Sequence, residues 1–259
     1  MAWAVVTGAS VGLGAEFARQ IAEGGRSVVL VSRDATRLGV VARELEALGV
    51  ETEVLVADLS KRFDVARVAR RLASEERPVD LLVNNAGFGL RHGLLDATEA
   101  ELDDALDVMV RAVMILSQAA ALAMVRRGSG TIVNVSSIAA VIVTGTYSAH
   151  KAWVSTFTEA LAGELHGTGV RATAVLPGLV RTEFHARAAL DLTALPAAVW
   201  LDAPTVVKVA LRAARRGRVI VTPTVRYGML IGAARALPRR WIRLASRSGS
   251  RRRVQAPSA

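Results

Sequence analysis

"VVTGASVGLGAEFA", Val5 to Ala18, runs from a β-branched start through three glycines into a segment of helical period. The first residues suit a strand and the last a helix. Between them, Gly8, Gly12 and Gly14 predict a tight turn. In such a turn the backbone N–H groups of a helix N-terminus approach an anion with no Cβ in the way. The spacing is Gly-x-x-x-Gly-x-Gly, not the Gly-x-Gly-x-x-Gly of the common dinucleotide fingerprint, but the physical need is the same. Strand, glycine turn and helix together predict a βα unit that cradles a nucleotide pyrophosphate, with Ser10 and Leu13 in the same loop.

The rest of the chain repeats this alternation. Short apolar runs predict strands at Trp3–Val6, Ser27–Val31, Glu53–Val56, Asp80–Val83, Thr131–Val135, Arg171–Val175 and Val219–Val221. Helical patterns fall between them at Leu13–Glu23, Ala35–Leu48, Phe63–Ser74, Glu101–Val125, Tyr147–Leu165 and Thr205–Arg215. Apolar strands separated by helices call for a seven-stranded parallel sheet with helices on both faces, a single doubly wound Rossmann-type α/β domain. The expected limits are 1–222 for this domain and 223–259 for a basic C-terminal extension. A loop-like stretch at 181–204 follows a strand end, where binding crevices of such sheets open, and reads as a lid.

Composition narrows the function classes. At 52% hydrophobic and 22% charged, 259 residues can bury a large core. There is no cysteine, which removes disulfides and thiolate chemistry and suits a reducing compartment such as the cytoplasm. The four histidines show no metal-site spacing, so no metal is expected. The start reads as a strand, not a signal peptide, and no uncharged apolar run reaches the roughly 18 residues of a membrane span. Net charge is +10, but Lys208 and thirteen arginines follow Asp202 with no acidic residue, so the first 202 residues carry −4. The basic character belongs to the C-terminal part, and a nucleic-acid partner is not expected.

Cofactor specificity is read at the end of the second strand, where an acidic residue binds a ribose 2′-hydroxyl and an arginine accommodates a 2′-phosphate. Arg33 follows Ser32 there and favours NADP(H); Asp34, one position on, keeps NAD(H) as the alternative.

"GTYSAHKAWV" places Tyr147 and Lys151 four apart, one helical turn, at a helix start. With "TGASVGLG", "ADL" at 57–59, "NNAG" at 84–87, "NVSS" at 134–137 and "PGLVRTEF" at 177–184, it resembles the short-chain dehydrogenase/reductase family from about Val5 to Phe184. The resemblance implies an oxidoreductase interconverting a ketone, or 3-oxoacyl-like carbonyl, and a secondary alcohol. Tyr147 would be the general acid/base, Lys151 would lower its pKa and bond the nicotinamide ribose, and Ser137, not Ser136, would hold the substrate oxygen. Asp58, Leu59, Ala86 and Gly87 would lie along the cofactor, and Asn84 would support its strand. Pro177, Gly178, Val180 and Thr182 would cover the nicotinamide. The resemblance also implies a homodimer or homotetramer through the long helices at 101–125 and 147–165. The substrate pocket is expected to be apolar, from Phe184, Leu190, Leu192, Leu195 and Trp200.

The family's relay asparagine on the long helix is here Met109, whose thioether cannot donate a hydrogen bond. This keeps open an alternative: an NADP-binding sensor or scaffold with impaired turnover. Ser137 and Tyr147 are ten apart, about three fewer than in many members. His92 reads as exposed or locally bonded, and His150 takes no catalytic role. The arginine-rich end reads as a helix packed on the domain, with attachment to a membrane surface as a rival.

Overall fold

The computed structural model describes residues 2–90, 92–142, 145–184, 196–238 and 240–241. Among these the strands are β1 (Trp3–Thr7), β2 (Ser27–Ser32), β3 (Thr52–Val56), β4 (Val79–Asn84), β5 (Gly130–Val135), β6 (Val170–Val175), β7 (Leu179–Val180), β8 (Trp200–Leu201) and β9 (Ile220–Val221). The helices are α1 (Gly12–Glu23), α2 (Ala35–Glu46), α3 (Arg62–Leu72), α4 (Glu99–Leu106), α5 (Ala112–Arg127), α6 (Thr146–Glu164), α7 (Ala203–Arg215) and α8 (Val225–Ala236). All seven predicted strands join one parallel sheet in the order β3-β2-β1-β4-β5-β6-β9.

Strand periodicity builds two cores. In β1, Ala4 and Val6 point to one face and Trp3 and Val5 to the other, because successive side chains alternate. The first face packs Phe17, Leu38, Leu45 and Val207 from α1, α2 and α7. The second packs Val68, Leu72, Leu116, Met124 and Leu161 from α3, α5 and α6. Both faces are covered, so the central strands β1 and β2 are largely apolar and buried, while the edge strand β3 is only partly so.

Helix starts follow capping chemistry. Asp34 accepts from the Arg37 N–H, Thr98 and Glu101 form a capping box on α4, and Asp202 accepts from the Thr205 N–H. The predicted helix at Glu101–Val125 differs in one respect. Between α4 and α5, residues Asp107–Arg111 form a π turn, centred on Met109. The whole helix, Glu99–Arg127, is long and apolar enough to cross a membrane, but half of its most apolar window is buried inside the fold.

Candidate active site

The strand order reverses between β1 and β4, and the crevice of a doubly wound sheet opens at such a point. The glycine loop leaves β1 there. Gly8 has φ +65° and Gly12 has φ +59°, values an L side chain rarely adopts. A Cβ on Gly14 would stand 2.0 Å from the Gly8 carbonyl oxygen, so no other residue fits. Ser10 and Leu13 sit half-buried in this turn. No side chain caps α1, whose N-cap residue is Val11, so its first-turn N–H groups face the crevice without side-chain competition. These are the features a pyrophosphate needs, and the loop fits a dinucleotide.

Two residues that the sequence reading passed over hold this loop. The Thr7 hydroxyl accepts from the Asn85 and Ala86 N–H groups at 3.0 Å each. The Asn85 amide donates to the Thr7 carbonyl at 3.0 Å, tying the end of β4 to the end of β1. The signal was a polar residue ending each central strand, in "VVT" and "VNN".

At the end of β2, Arg33 is exposed. Asp34 is engaged as the α2 cap and lies 3.4 Å from Arg37, which also bonds Glu183 at 2.9 Å. Asp58 is turned onto its own loop, accepting from Ser60 at 3.0 Å, and Leu59 is buried beside it. Asn84 does not reach the crevice: its amide donates to Ser117 at 3.0 Å and to Asn134 at 2.9 Å. It clamps β4 to β5 and α5 from within.

Ser137, Tyr147 and Lys151 come together beyond the ends of β5 and β4. Ser136 and Ser137 make different hydrogen bonds. Ser136 points inward, donating to the Lys151 carbonyl at 2.7 Å and fixing α6 against β5. Ser137 shares a hydrogen bond with the Tyr147 hydroxyl. Lys151 is only 4% exposed; its ammonium donates to the Val135 carbonyl at 2.8 Å and lies 5.8 Å from the Tyr147 ring centroid. A Cβ on Gly87 would be 3.4 Å from Lys151 Nζ and 3.6 Å from Met109 Sδ. The thioether therefore stands close to the lysine, and Tyr147 packs on the same small cluster with Leu90 and Ala105.

Burial pushes the Tyr147 phenol up to about 12, with the Ser137 hydrogen bond pulling weakly the other way. Burial pushes Lys151 down to about 8. Lys151 is itself desolvated and its ammonium faces the Val135 carbonyl. His150 is held below its usual value by burial and by Lys151, and its Nδ1 is buried without a hydrogen bond. His92 is locally bonded, 3.2 Å from Glu101.

The cap over the crevice begins at Pro177, whose carbonyl accepts from Ile138, next to Ser137. Thr182 stands 3.3 Å from where a Gly12 Cβ would be, so cap and glycine loop meet across the crevice. Val180 is buried, and β7 pairs with β8 to close the neck of the predicted lid. Phe184 lies 5.7 Å from the Tyr147 ring. Leu190, Leu192 and Leu195 lie outside the described residues. From α8, the Tyr227 ring covers Gly178, where a Cβ would meet it at 2.3 Å, and its hydroxyl donates to the Val199 carbonyl at 2.6 Å. A separate cavity of about 330 Å³, lined by His166 and Arg171, sits at the opposite, amino end of the strands.

Comparison with known proteins adds three findings. Residues 2–192 match the family described as short chain dehydrogenase. A short chain dehydrogenase of Pseudocercospora fijiensis is 36% identical over 189 residues, 71% of this chain; the chain spans 61% of that relative's length. Two solved structures superpose over most of the chain. One is a short-chain dehydrogenase from Sphingobium yanoikuyae in complex with NADPH (TM-score 0.83, 33% identity, 91% of this chain and 94% of that one). The other is the bulky-bulky ketone specific alcohol dehydrogenase from Comamonas testosteroni (TM-score 0.78, 30% identity, 100% and 97%).

Proposed function

The chain belongs to the short-chain dehydrogenase family, oxidoreductases acting on alcohols and ketones, and from that premise we propose that it interconverts a bulky apolar ketone and its secondary alcohol with NADP(H). The observation that carries this reading is the Ser137–Tyr147–Lys151 cluster at the open end of the glycine-loop crevice.

Bound NADP(H) supplies or accepts the hydride. Gly8, Gly12 and Gly14 would receive its pyrophosphate at the α1 N-terminus, and Arg33 would offer a cation for a 2′-phosphate. Ser137 orients the substrate oxygen by a hydrogen bond. Tyr147 Oη gives that oxygen a proton in reduction and removes it in oxidation. Lys151, one helical turn from Tyr147, would bond a nicotinamide ribose, and its ammonium charge favours phenolate at Tyr147. Phe184 and the β7–β8 neck give the mouth apolar walls.

The test is turnover of a panel of aryl, alicyclic and 3-oxoacyl ketones with NADPH and with NADH. Tyr147→Phe should lower kcat about 10³-fold while NADPH still binds, because only the proton donor is removed. Unchanged turnover in that variant would refute the assignment.

Met109 beside Lys151 supports a second reading, a cofactor-binding sensor or scaffold whose proton relay is incomplete. Tight NADPH binding with no turnover across the panel would favour it. In either reading, association through α4–α5 and α6 fits the exposed Leu106, Met114, Leu122 and Val125 on the long helix.

A further inference from the structure

α8 is apolar on both sides. Inward, Tyr227 covers Gly178 and Ile231 joins Ala174 and Leu176. Outward, Val225 is 79% exposed and Met229 65%; Leu230 is exposed too, and Leu237 and Trp241 continue the series past the helix. A soluble surface helix carries polar residues on its outer face. This one carries no charge between Arg226 and Arg235.

The same segment is strongly basic. Nine arginines follow Pro223 and no acidic residue follows Asp202. Arg240 lies over the Trp241 ring, 5.7 Å from its centroid. Such a mixture matches a bilayer surface carrying anionic lipid, where apolar side chains sink among acyl chains and arginines meet headgroup phosphates. A second copy fits less well: an isologous contact would set nine arginines against nine. Nucleic acid would satisfy the arginines but offers no apolar partner for Val225, Met229, Leu230 and Leu237.

We propose that α8 docks the protein on an anionic membrane surface, with Val225, Met229, Leu230, Leu237 and Trp241 as the inserting side chains and Arg226 and Arg240 facing the headgroups. Because the inner face of α8 touches Gly178 and Val199, docking would set the lid neck next to the lipid. The inference does not depend on which carbonyl compound the site takes.

The full-length chain is sedimented with phosphatidylcholine vesicles, with and without about 30% phosphatidylglycerol, at about 50 and about 500 mM salt. Pelleting is expected only with the anionic vesicles, and it should weaken at the higher salt. M229D/L230D should weaken it at least about tenfold while circular dichroism and NADPH binding stay unchanged, since both side chains are exposed. R226Q/R240Q tests the charge separately and should also weaken it. No lipid-dependent pelleting at low salt would overturn the proposal. Pelleting unaffected by either variant would do the same. Duplex DNA binding without vesicle binding would reassign the face to nucleic acid, and self-association lost in M229D/L230D without vesicle binding would reassign it to a second copy.

Discussion

Tyr147 and Lys151 are displaced in opposite senses by the same burial, to about 12 and about 8. At neutral pH the phenol is protonated, as the proposed reduction requires; the proposed oxidation requires phenolate and therefore an added positive charge. The phenolate absorbance of Tyr147, taken as the difference from the Tyr147→Phe variant, should appear near pH 12 in the free protein and at lower pH with NADP⁺ bound. Alcohol oxidation should rise about tenfold per pH unit below that lowered pKa while ketone reduction stays flat. An unchanged phenolate titration on NADP⁺ binding would contradict this. Lys151 carries a stability consequence of the other sign. Its folded pKa lies below the ordinary 10.5, so the unfolded chain holds the proton more tightly, and stability rises with pH from about 8 to 10.5. Lys151→Met should abolish turnover yet stabilise the fold by about 2 kcal/mol at pH 7, after allowing for the lost bond to Val135, and the gap should close toward pH 10. Urea unfolding at the two pH values checks it. The glycines, Ser137, Tyr147 and Lys151 were legible in the sequence because their chemistry requires that residue type at that spacing. Thr7, Asn85 and Ser136 were not, because their work is a hydrogen bond to backbone far away in the chain.

Elements were legible where period and length spoke clearly, and less so where two patterns overlap. The segment at 101–125 is apolar on nearly every side, so a π turn at Asp107–Arg111 leaves no mark on its periodicity. Its consequence is local: the turn carries Met109 to within reach of Lys151 and Gly87. The two-residue strands β7 and β8 are too short for any alternation, and they pair across a long insertion. α8 was expected as a packed helix in a basic extension, with membrane attachment as the rival, and its Tyr227 reaches across beside β7 and β8, ring on Gly178 and hydroxyl on Val199. Gly178 is therefore small because of an element about fifty residues later. Gly178→Ala should destabilise the protein by about 1–3 kcal/mol through overpacking against that ring. Adding Tyr227→Ala should recover part of the loss, a coupling visible in a double-mutant thermal-melt cycle. Strict additivity would show that α8 does not hold the cap.

For the molecule as a whole, the order of strands and helices could be read in advance because both faces of the sheet are covered, which makes the central strands largely apolar and helices such as α1, α3 and α7 amphipathic. What lay beyond the sequence was how far the crevice joins distant parts. Gly12 from the first βα unit approaches Thr182 from the cap, Arg37 of α2 bonds Glu183, and Asn85, just past β4, holds the glycine loop. A dinucleotide lying in this crevice would bridge elements from both halves of the sheet, so binding should stabilise the entire fold and not one loop. With NADPH at about 100 times its Kd, stability should increase by about 2.7 kcal/mol. For a chain of this length that is a rise in Tm of about 5 °C. NADH at the same concentration should give a smaller shift, because Arg33 has no 2′-phosphate to meet and Asp34 is engaged in capping α2. Arg33→Glu, an exposed change, should shrink the NADPH shift and leave the NADH shift equal or larger. Scanning calorimetry of the two proteins with each nucleotide reads this directly, and a larger shift with NADH in the unaltered protein would reverse the assigned preference.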